Sequence, residues 1–224
     1  MLRLLLLCAT VAVALTSALP APAERTGCGS SDYAYAGVQT HGAVYSVGAT
    51  IRSLLAPKVT KGHVAGWVGI VAKNRQAWMQ IGLSAFPGDR SNQVYLEYAP
   101  PGRDPHYVTL RRGMPIGKAS RVAVREIPGH RNWWQAWLDG WPAGDPVYLA
   151  GSHGRWGAQL MGESWNDNSG ACNRYAYLFR RVSLAQAPGR LMRRLEGLRS
   201  SSDAGYSLAW SSPSDLVVYA LNQD

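Results

Sequence analysis

The sequence lacks the short motifs that mark several classes of hydrolase. No His is followed by Glu, so the His-Glu-x-x-His metal helix is absent, and the five histidines are dispersed without a Cys/His cluster. There is also no Gly-x-Ser-x-Gly nucleophile elbow. These absences argue against zinc chemistry and against a serine hydrolase of the α/β type, and no metal or cofactor is expected.

Long apolar runs are absent except at the N-terminus. Residues 1–23 contain one early charge at Arg3, an apolar run over Leu4–Leu15, and small residues ending at Ala23. This three-part pattern predicts a secretory signal peptide, with cleavage after Ala18 as the weaker alternative. The run is shorter than the roughly 20 residues that a membrane-spanning helix needs, so the sequence predicts a secreted (extracellular) protein without a membrane span.

Cysteine is scarce and lacks redox spacing. Cys8 lies inside the N-terminal apolar run, which leaves Cys28 and Cys172 in the mature chain. No Cys-x-x-Cys pair exists, and an even pair in an exported chain favours one structural disulfide. We therefore expect Cys28 and Cys172 to form a bridge between the N-terminal arm and a late loop.

Acidic residues are outnumbered, with 14 Asp and Glu against 23 Lys and Arg and a net charge of +9. No basic run with interleaved aromatics appears, so specific nucleic-acid binding is not predicted. The apolar fraction of 46% is enough for a sizeable core. The length suits one domain over residues 24–224, which we expect to be a monomer.

The secondary-structure signals are almost all of one kind. Short runs rich in Val, Ile, Tyr and Trp recur between Gly, Pro, Asn and Asp clusters, which is typical of an antiparallel β-sandwich. The predicted strands are Ala43–Leu54, Val64–Val71, Ala77–Leu83, Gln93–Tyr98, His106–Leu110, Arg121–Ile127, Asn132–Leu138, Pro146–Leu149, Trp156–Met161, Tyr175–Leu184, Tyr206–Trp210 and Leu216–Leu221. One short helix is predicted over Arg190–Leu198, and the Asp139-Gly140-Trp141-Pro142 segment is predicted to be a turn.

The stretch His63–Leu83 predicts two apolar strands joined by a short basic turn, with one polar residue, Gln80, in the second strand. Side chains alternate along a strand, so Gln80 shares a face with Trp78 and Gly82. The opposite, apolar face is predicted to be core: Ala77, Met79, Ile81 and Leu83. Gln80 is interpreted as an amide in a walled recess, and the alternative is a solvated glutamine on the outer face of a half-buried sheet.

Asn132–Leu138 carries three tryptophans, and alternation puts Trp133, Gln135 and Trp137 on one side of the strand. Trp134 lies on the other side, with Ala136 and Leu138. One row is predicted to be core, and the other is a candidate floor for a substrate groove. Trp133 and Trp137 are therefore candidate substrate-binding residues.

Several segments together resemble a group of exported bacterial proteins distantly similar to the glutamic peptidases, the eqolisin family. The resemblance spans about Tyr35–Leu184 and rests on these segments: GHVAGWVGI, WMQIG, VYLEY, NWWQAWLDG, LAGSHGRWGAQLMGESWN and CNRYAYLF. It implies a concanavalin A-like or jelly-roll fold and a polypeptide substrate. By motif, the catalytic glutamine of the family falls on Gln80 and its catalytic glutamate falls best on Glu163, in Gly162-Glu163-Ser164-Trp165. A shifted alignment puts Gln159 at the glutamate position instead, which removes the acid-base group.

The two side chains also suit peptide hydrolysis on chemical grounds. Glu163 can take a proton from water and pass it to the leaving nitrogen, while the Gln80 amide can donate to the developing oxyanion. Trp78 and Trp165 are candidate walls of the recess. Glu97 lies on the next strand and is a candidate for orienting Gln80 or a substrate, with a paired sheet carboxylate as its alternative. For Glu163 the alternative is an ion pair with one of the arginines.

Two other functions remain open at the level of sequence. A glycosidase needs two carboxylates about 5 to 9.5 Å apart, and Glu97 with Glu163 is the pair that can be nominated. A non-catalytic, lectin-like module that binds carbohydrate or cell wall would instead use the aromatic strand to stack on sugars. Convergence of the Gln80 amide and the Glu163 carboxylate in one groove would favour the hydrolase.

Overall fold

The computed structural model describes residues 32–190 and 198–221, which form fourteen β-strands and no helix. In chain order the strands are β1 (Tyr33–Thr40), β2 (Ser46–Ser53), β3 (His63–Val71), β4 (Trp78–Ala85), β5 (Asn92–Ala99), β6 (His106–Met114), β7 (Ala119–Glu126), β8 (Trp133–Leu138), β9 (Trp141–Tyr148), β10 (Gly157–Trp165), β11 (Tyr175–Ala185), β12 (Leu198–Ser202), β13 (Ser207–Ser212) and β14 (Asp215–Ala220).

These strands form two seven-stranded antiparallel sheets packed face to face. Sheet 1 has the order β12-β1-β10-β3-β4-β5-β6, and sheet 2 has the order β13-β14-β11-β2-β7-β8-β9. Their inner faces meet in one apolar core, which confirms the predicted antiparallel β-sandwich. The predicted core face of β4 is confirmed as well, because Met79, Ile81 and Leu83 are all buried.

Two glycines at the middle of sheet 1 allow large rings of sheet 2 to approach its backbone. Gly66 and Gly162 are paired across β3 and β10. A Cβ on Gly66 would lie 2.5 Å from the Tyr177 ring, and one on Gly162 would lie 2.7 Å from Tyr175. Both tyrosines are fully buried, so these glycines set the distance between the sheets at the core.

Each predicted strand coincides at least in part with an observed one, but β1 and β12 were not predicted. β12 reads Leu-Arg-Ser-Ser-Ser and is mostly exposed at the sheet edge, so it has no apolar alternation to detect. The Asp139-Gly140 turn is confirmed, and both residues have positive φ angles. Trp141 and Pro142 were wrongly assigned to that turn: they begin β9, an edge strand in which proline is tolerated.

Three predictions fall on residues outside the described part of the chain. The signal peptide over residues 1–23 and Cys28 lie there entirely, so export and the Cys28–Cys172 bridge stay predictions. The predicted helix Arg190–Leu198 lies there for the most part, and Leu198 itself begins β12. In residues 32–190 and 198–221, no helix has the length and apolar character that crossing a membrane requires.

Candidate functional site

A groove of about 400 Å³ crosses the outer face of sheet 1. It is called the groove below, and the lining side chains that matter for its chemistry are Tyr33, Tyr35, His63, Trp67, Arg75, Trp78, Gln80, Glu97, Gln159, Met161, Glu163 and Asp203. Strands β1, β10, β3, β4 and β5 contribute most of them. Gln80, Glu97 and Glu163 therefore line one groove.

The groove has an apolar floor that is separate from the core between the sheets. Ala65, Trp67, Tyr95 and Met161 form a buried cluster on the outer face, with Tyr35 packed against it. The central strands of sheet 1 are consequently buried on both faces, whereas one face of an antiparallel sheet is commonly solvated. Polar groups around such a floor are partly removed from water, which strengthens their mutual interactions.

Gln80 is held by two hydrogen bonds from the same nitrogen. Its Nε2 donates to Glu97 Oε2 at 2.9 Å and to the Tyr95 hydroxyl at 3.1 Å. An ionised carboxylate only accepts, so the amide must turn its N–H groups toward Glu97. Gln80 is buried, and the prediction of an amide in a walled recess is confirmed.

Glu97 differs electrostatically from an ordinary sheet carboxylate. Burial and the negative charge of Glu163 together raise the pKa of Glu97 to about 7, against opposing effects of His63 and of the Gln80 hydrogen bond. Glu97 thus carries a proton in acidic solution and loses it near neutrality. A carboxyl group of this kind in a groove can act as an acid.

Glu163 is fixed by two donors from β3. Trp67 Nε1 donates to Glu163 Oε2 at 2.8 Å, and His63 Nε2 lies 2.8 Å from Glu163 Oε1. Among the described residues, Glu163 forms no ion pair with an arginine, which was the predicted alternative. The contacts use two of about four lone-pair sites of a carboxylate, so each oxygen can still accept from water or substrate.

The strand register decides which residue of β10 lies directly across from Gln80. Gln80 is paired with Gly69 on β3, and Gly69 is paired with Gln159 on β10. Glu163 is paired with Ala65, four residues further along β3. At about 3.3 Å per residue that offset is roughly 13 Å along the strand. The side chain in the same row as Gln80 is therefore an uncharged amide, whose Nε2 donates to Gln39 Oε1 at 3.1 Å.

The ends of the groove are lined by aromatic rings. Trp78 lines one end, as predicted. At the other end, Trp165 packs against His63 and Tyr33, with ring centroids 5.6 and 6.0 Å apart, so it supports the site rather than lining the groove. Burial raises the pKa of Tyr33 to about 12, with a further contribution from the Glu163 charge, so this phenol stays neutral.

The structure does not bring Trp133 and Trp137 to the groove. Both lie on β8 in sheet 2, with their side chains on the outer face of that sheet. Trp134, from the alternate row, is fully buried in the core. The alternation along β8 was therefore predicted correctly, but Trp133 and Trp137 do not line the groove that contains Gln80, because their strand belongs to the other sheet.

His63 and Trp67 contact Glu163 in the groove and were not predicted from the sequence. Alternation along β3 places both on the face opposite the apolar Val64 and Val68. A histidine and a tryptophan sharing that face are a usable signal for a polar site. Tyr35 was missed for a different reason, since β1 itself was not predicted.

A metal site is not evident in the described ranges, where no group of three or more His, Cys, Asp or Glu side chains is arranged to hold an ion. The polar side chains lining the groove include the carboxylates of Glu97 and Glu163, a histidine, phenols and amides. Asp203 adds a third carboxylate, which accepts from the Tyr35 backbone N–H at 2.8 Å. Arg75 is the one arginine among the lining residues.

No protein-family model and no curated protein matches this sequence. Solved structures do show similarity. A scytalido-glutamic peptidase with a peptide-based transition-state analog has a TM-score of 0.61 at 16% identity, over 85% of this chain and 99% of that chain. A second structure of scytalido-glutamic peptidase, with a transition-state analog inhibitor, has a TM-score of 0.63 at 15% identity over the same shares.

A third similar structure is SCP-B, a member of the eqolisin family of peptidases in a complex with the tripeptide Ala-Ile-His. Its TM-score is 0.58 at 16% identity, again over 85% of this chain and 99% of that chain. Identities this low establish the fold alone. The β-sandwich that the sequence resemblance implied is thereby confirmed.

Proposed function

We propose that this protein is an exported hydrolase that cleaves peptide bonds of polypeptides bound in the groove. Glu163 acts as general base and Gln80 as donor to the oxyanion. The observation that carries the proposal is that these two side chains face one groove with an apolar floor. The shared fold with peptidases that bind peptide analogs is consistent with a polypeptide substrate.

In the proposed mechanism, Glu163 removes a proton from water as the water attacks the scissile carbonyl carbon. Trp67 and His63 hold the carboxylate in place through both of its oxygens, so its position is fixed before substrate binds. Such fixed geometry lowers the cost of reaching the transition state. His63 also places a positively polarised N–H beside the carboxylate.

Glu97 supplies the proton for the leaving nitrogen. Its pKa of about 7 means that it is protonated in acid, where a general acid is needed. Protonation has a second consequence for Gln80. A protonated Glu97 has an O–H donor, which can bond to the Gln80 amide oxygen and release the amide N–H groups toward the groove. The oxyanion donor is therefore available when Glu97 carries its proton, and cleavage is expected to be favoured by acid.

One specific observation favours a second candidate, a groove that binds polypeptide without cleaving it. Gln159, which shares the row with Gln80, carries no charge and cannot transfer protons at pH values where proteins fold. The offset of Glu163 along β10 then makes it a positioning group for ligand rather than a base. The two candidates differ in whether Glu163 is required for turnover or only for binding.

The test is hydrolysis of an unfolded protein substrate by the purified protein from about pH 2 to about pH 8, beside Glu163→Gln and Gln80→Ala variants of confirmed folding. We expect acid-favoured cleavage that falls as the pH rises through about 7 and is lost in both variants. Absence of cleavage by well-folded wild type at every pH would refute the hydrolase.

Gln159→Glu provides the matched variant that separates the two candidates. It places a carboxylate directly across Gly69 from Gln80, without a change of side-chain length. If wild type binds unfolded polypeptide without cleaving it and Gln159→Glu gains cleavage, the groove is a binding groove that lacks a base. If wild type already cleaves and Gln159→Glu adds little, the base is Glu163.

A further inference from the structure

A second cavity, of about 460 Å³, lies on the outer face of sheet 2. It is called the sheet-2 cavity here. Its floor is a row of paired residues across four strands, Ala185, Ser46, Arg125 and Gln135. The core of the sandwich separates it from the groove, so its chemistry does not belong to the proposed peptidase site.

Arg125 brings a cation into this cavity without an acidic partner. Its guanidinium carbon lies 5.1 Å from the centre of the Trp137 ring, and none of the ion pairs between described residues includes it. Glu126 also lines the cavity, but its carboxylate is engaged by His153 Nδ1 at 2.9 Å and by the Asn132 N–H at 2.7 Å. Burial lowers the pKa of Arg125, and the like charge of Arg121 adds to this. An anion in the cavity would relieve both effects.

Trp137 lines the cavity and carries a polar atom without a partner among the described residues. Its indole Nε1 is buried and has no hydrogen-bond partner among the described residues. Buried polar groups of this kind are rare, and a bound ligand is one explanation for them. Next to it, Gln135 is locked by bonds from its Nε2 to the carbonyl oxygens of Ala136, Ala143 and Gly144. These bonds fix the side chain of Gln135 in the cavity floor.

Exposed rings continue from the cavity along β8 and β9. Trp133, on the same face as Trp137, is 41% exposed and stands 5.4 Å from the ring of Tyr148, which is 48% exposed. Pro128 and Pro142 supply apolar walls within the cavity. A strip of rings leading away from a cationic cavity fits a polymer of ring-shaped units better than a small molecule.

We propose that the sheet-2 cavity binds a uronic acid unit of an acidic polysaccharide. The carboxylate of the uronate accepts charge-assisted hydrogen bonds from Arg125, and Trp137 and the prolines contact the apolar face of the sugar ring. The neighbouring sugar units lie over Trp133 and Tyr148. This site holds the protein on an anionic polymer while the groove remains open.

The test is calorimetric titration of the purified protein with tri-galacturonate and, separately, with the neutral galactose trisaccharide. We expect binding of tri-galacturonate and none of the neutral sugar. Arg125→Gln should weaken the affinity about tenfold, the loss of one charge-assisted bond, and Trp137→Phe severalfold. Arg121→Gln is the matched control, because it removes the same charge from the same face of β7 outside the cavity, and it should change affinity less than about twofold.

Equal weakening by Arg121→Gln and Arg125→Gln would overturn the proposal, since attraction would then be non-specific. The proposal would also be overturned if benzoate or polyaspartate bound with the same affinity as tri-galacturonate. Benzoate has a carboxylate and a ring but no sugar. Gln80→Ala must bind tri-galacturonate as wild type does. Loss of binding in that variant would place the sugar in the groove and refute a separate site.

Discussion

The two sites on the outer faces of the sheets differ in their charged groups, although both sheets have seven strands and share one core. The groove on sheet 1 holds Glu97, Glu163 and Asp203 in a protein with a net charge of +9. The face of sheet 2 holds Arg125 without an acidic partner among the described residues. Net charge therefore says little about either site, because three carboxylates line the groove of a basic protein.

The two faces also differ in how their polar groups are held. In the groove, both oxygens of Glu163 and the amide nitrogen of Gln80 have partners, and the floor beneath them is packed. In the sheet-2 cavity, the Trp137 N–H has no partner among residues 32–190 and 198–221. Catalysis requires polar groups that are held in place before substrate binds, as in the groove. A donor without a partner, as in the sheet-2 cavity, can instead be satisfied by a ligand.

The largest effect is expected for Glu163→Gln, which tests the groove alone. The substitution keeps the side-chain size but removes the proton acceptor, so the rate of peptide cleavage should fall about 10³-fold. The affinity for tri-galacturonate should not change, because the sheet-2 cavity lies across the core. Single-turnover rates and calorimetry on the same preparation check both statements, and a fall in both properties would show that the two faces are not independent.

Gly82→Ala should perturb the groove through packing. A Cβ on Gly82 would lie 2.2 Å from the Gly66 carbonyl oxygen and 2.6 Å from Trp67 Cα, and these backbone atoms cannot move away easily. We expect a loss of about 3 kcal/mol in the free energy of unfolding, measured by urea denaturation. Gly88→Ala is a poor control because Gly88 has a positive φ; Gly42→Ala, with open space around the added carbon, should cost far less.

Glu97→Gln should change how stability depends on pH. The pKa of Glu97 is about 7 in the folded protein against 4.5 ordinarily, so between these values the folded state keeps a proton that the unfolded state has released. Wild type therefore loses stability as the pH rises through this window, by about 2 kcal/mol after allowance for partial exposure. Urea midpoints at the two ends of the window should differ less in Glu97→Gln, and an unchanged pH dependence would contradict the assignment.

Glu97→Gln also separates its two roles in cleavage. The substituted amide can donate to Gln80 at every pH but cannot supply a proton to the leaving nitrogen. The fall in rate near neutral pH should therefore disappear, while the maximal rate drops. If the cleavage rate of Glu97→Gln still falls at the same pH, the titrating group is a residue other than Glu97.

Sequence predicts the sandwich well because the inner faces need apolar residues, which alternate in β7 and β14 and form nearly continuous runs in β3 and β4. It predicts Gln80 for the same reason, since a glutamine breaks the pattern on one face. It does not predict which residue of β10 meets Gln80, because Gln159 and Glu163 are separated by an even number of residues and share a face. Register, set by pairing with β3, decides between them.

The sheet that a strand joins is the other feature that the local sequence pattern does not predict. The strand with Trp133 and Trp137 has the same alternation as the strands of the groove, yet it packs in the other sheet. Which sheet a strand joins depends on contacts between residues far apart in the chain. The alternation along this strand was predicted correctly, but its sequence contains no signal for the sheet that it joins.

The smallest effect is expected for Tyr177→Phe, which tests a hydrogen bond between the two sheets. The buried hydroxyl of Tyr177 on sheet 2 donates to Asn92 Oδ1 on sheet 1 at 3.0 Å. Removing it leaves a buried acceptor unsatisfied, which should cost about 1 to 2 kcal/mol in the free energy of unfolding. Because neither site is touched, cleavage at saturating substrate and affinity for tri-galacturonate should both be unchanged in the folded fraction. In a double-mutant cycle with Asn92→Leu, the combined loss should be smaller than the sum of the single losses, and simple additivity would mean that this bond does not couple the sheets.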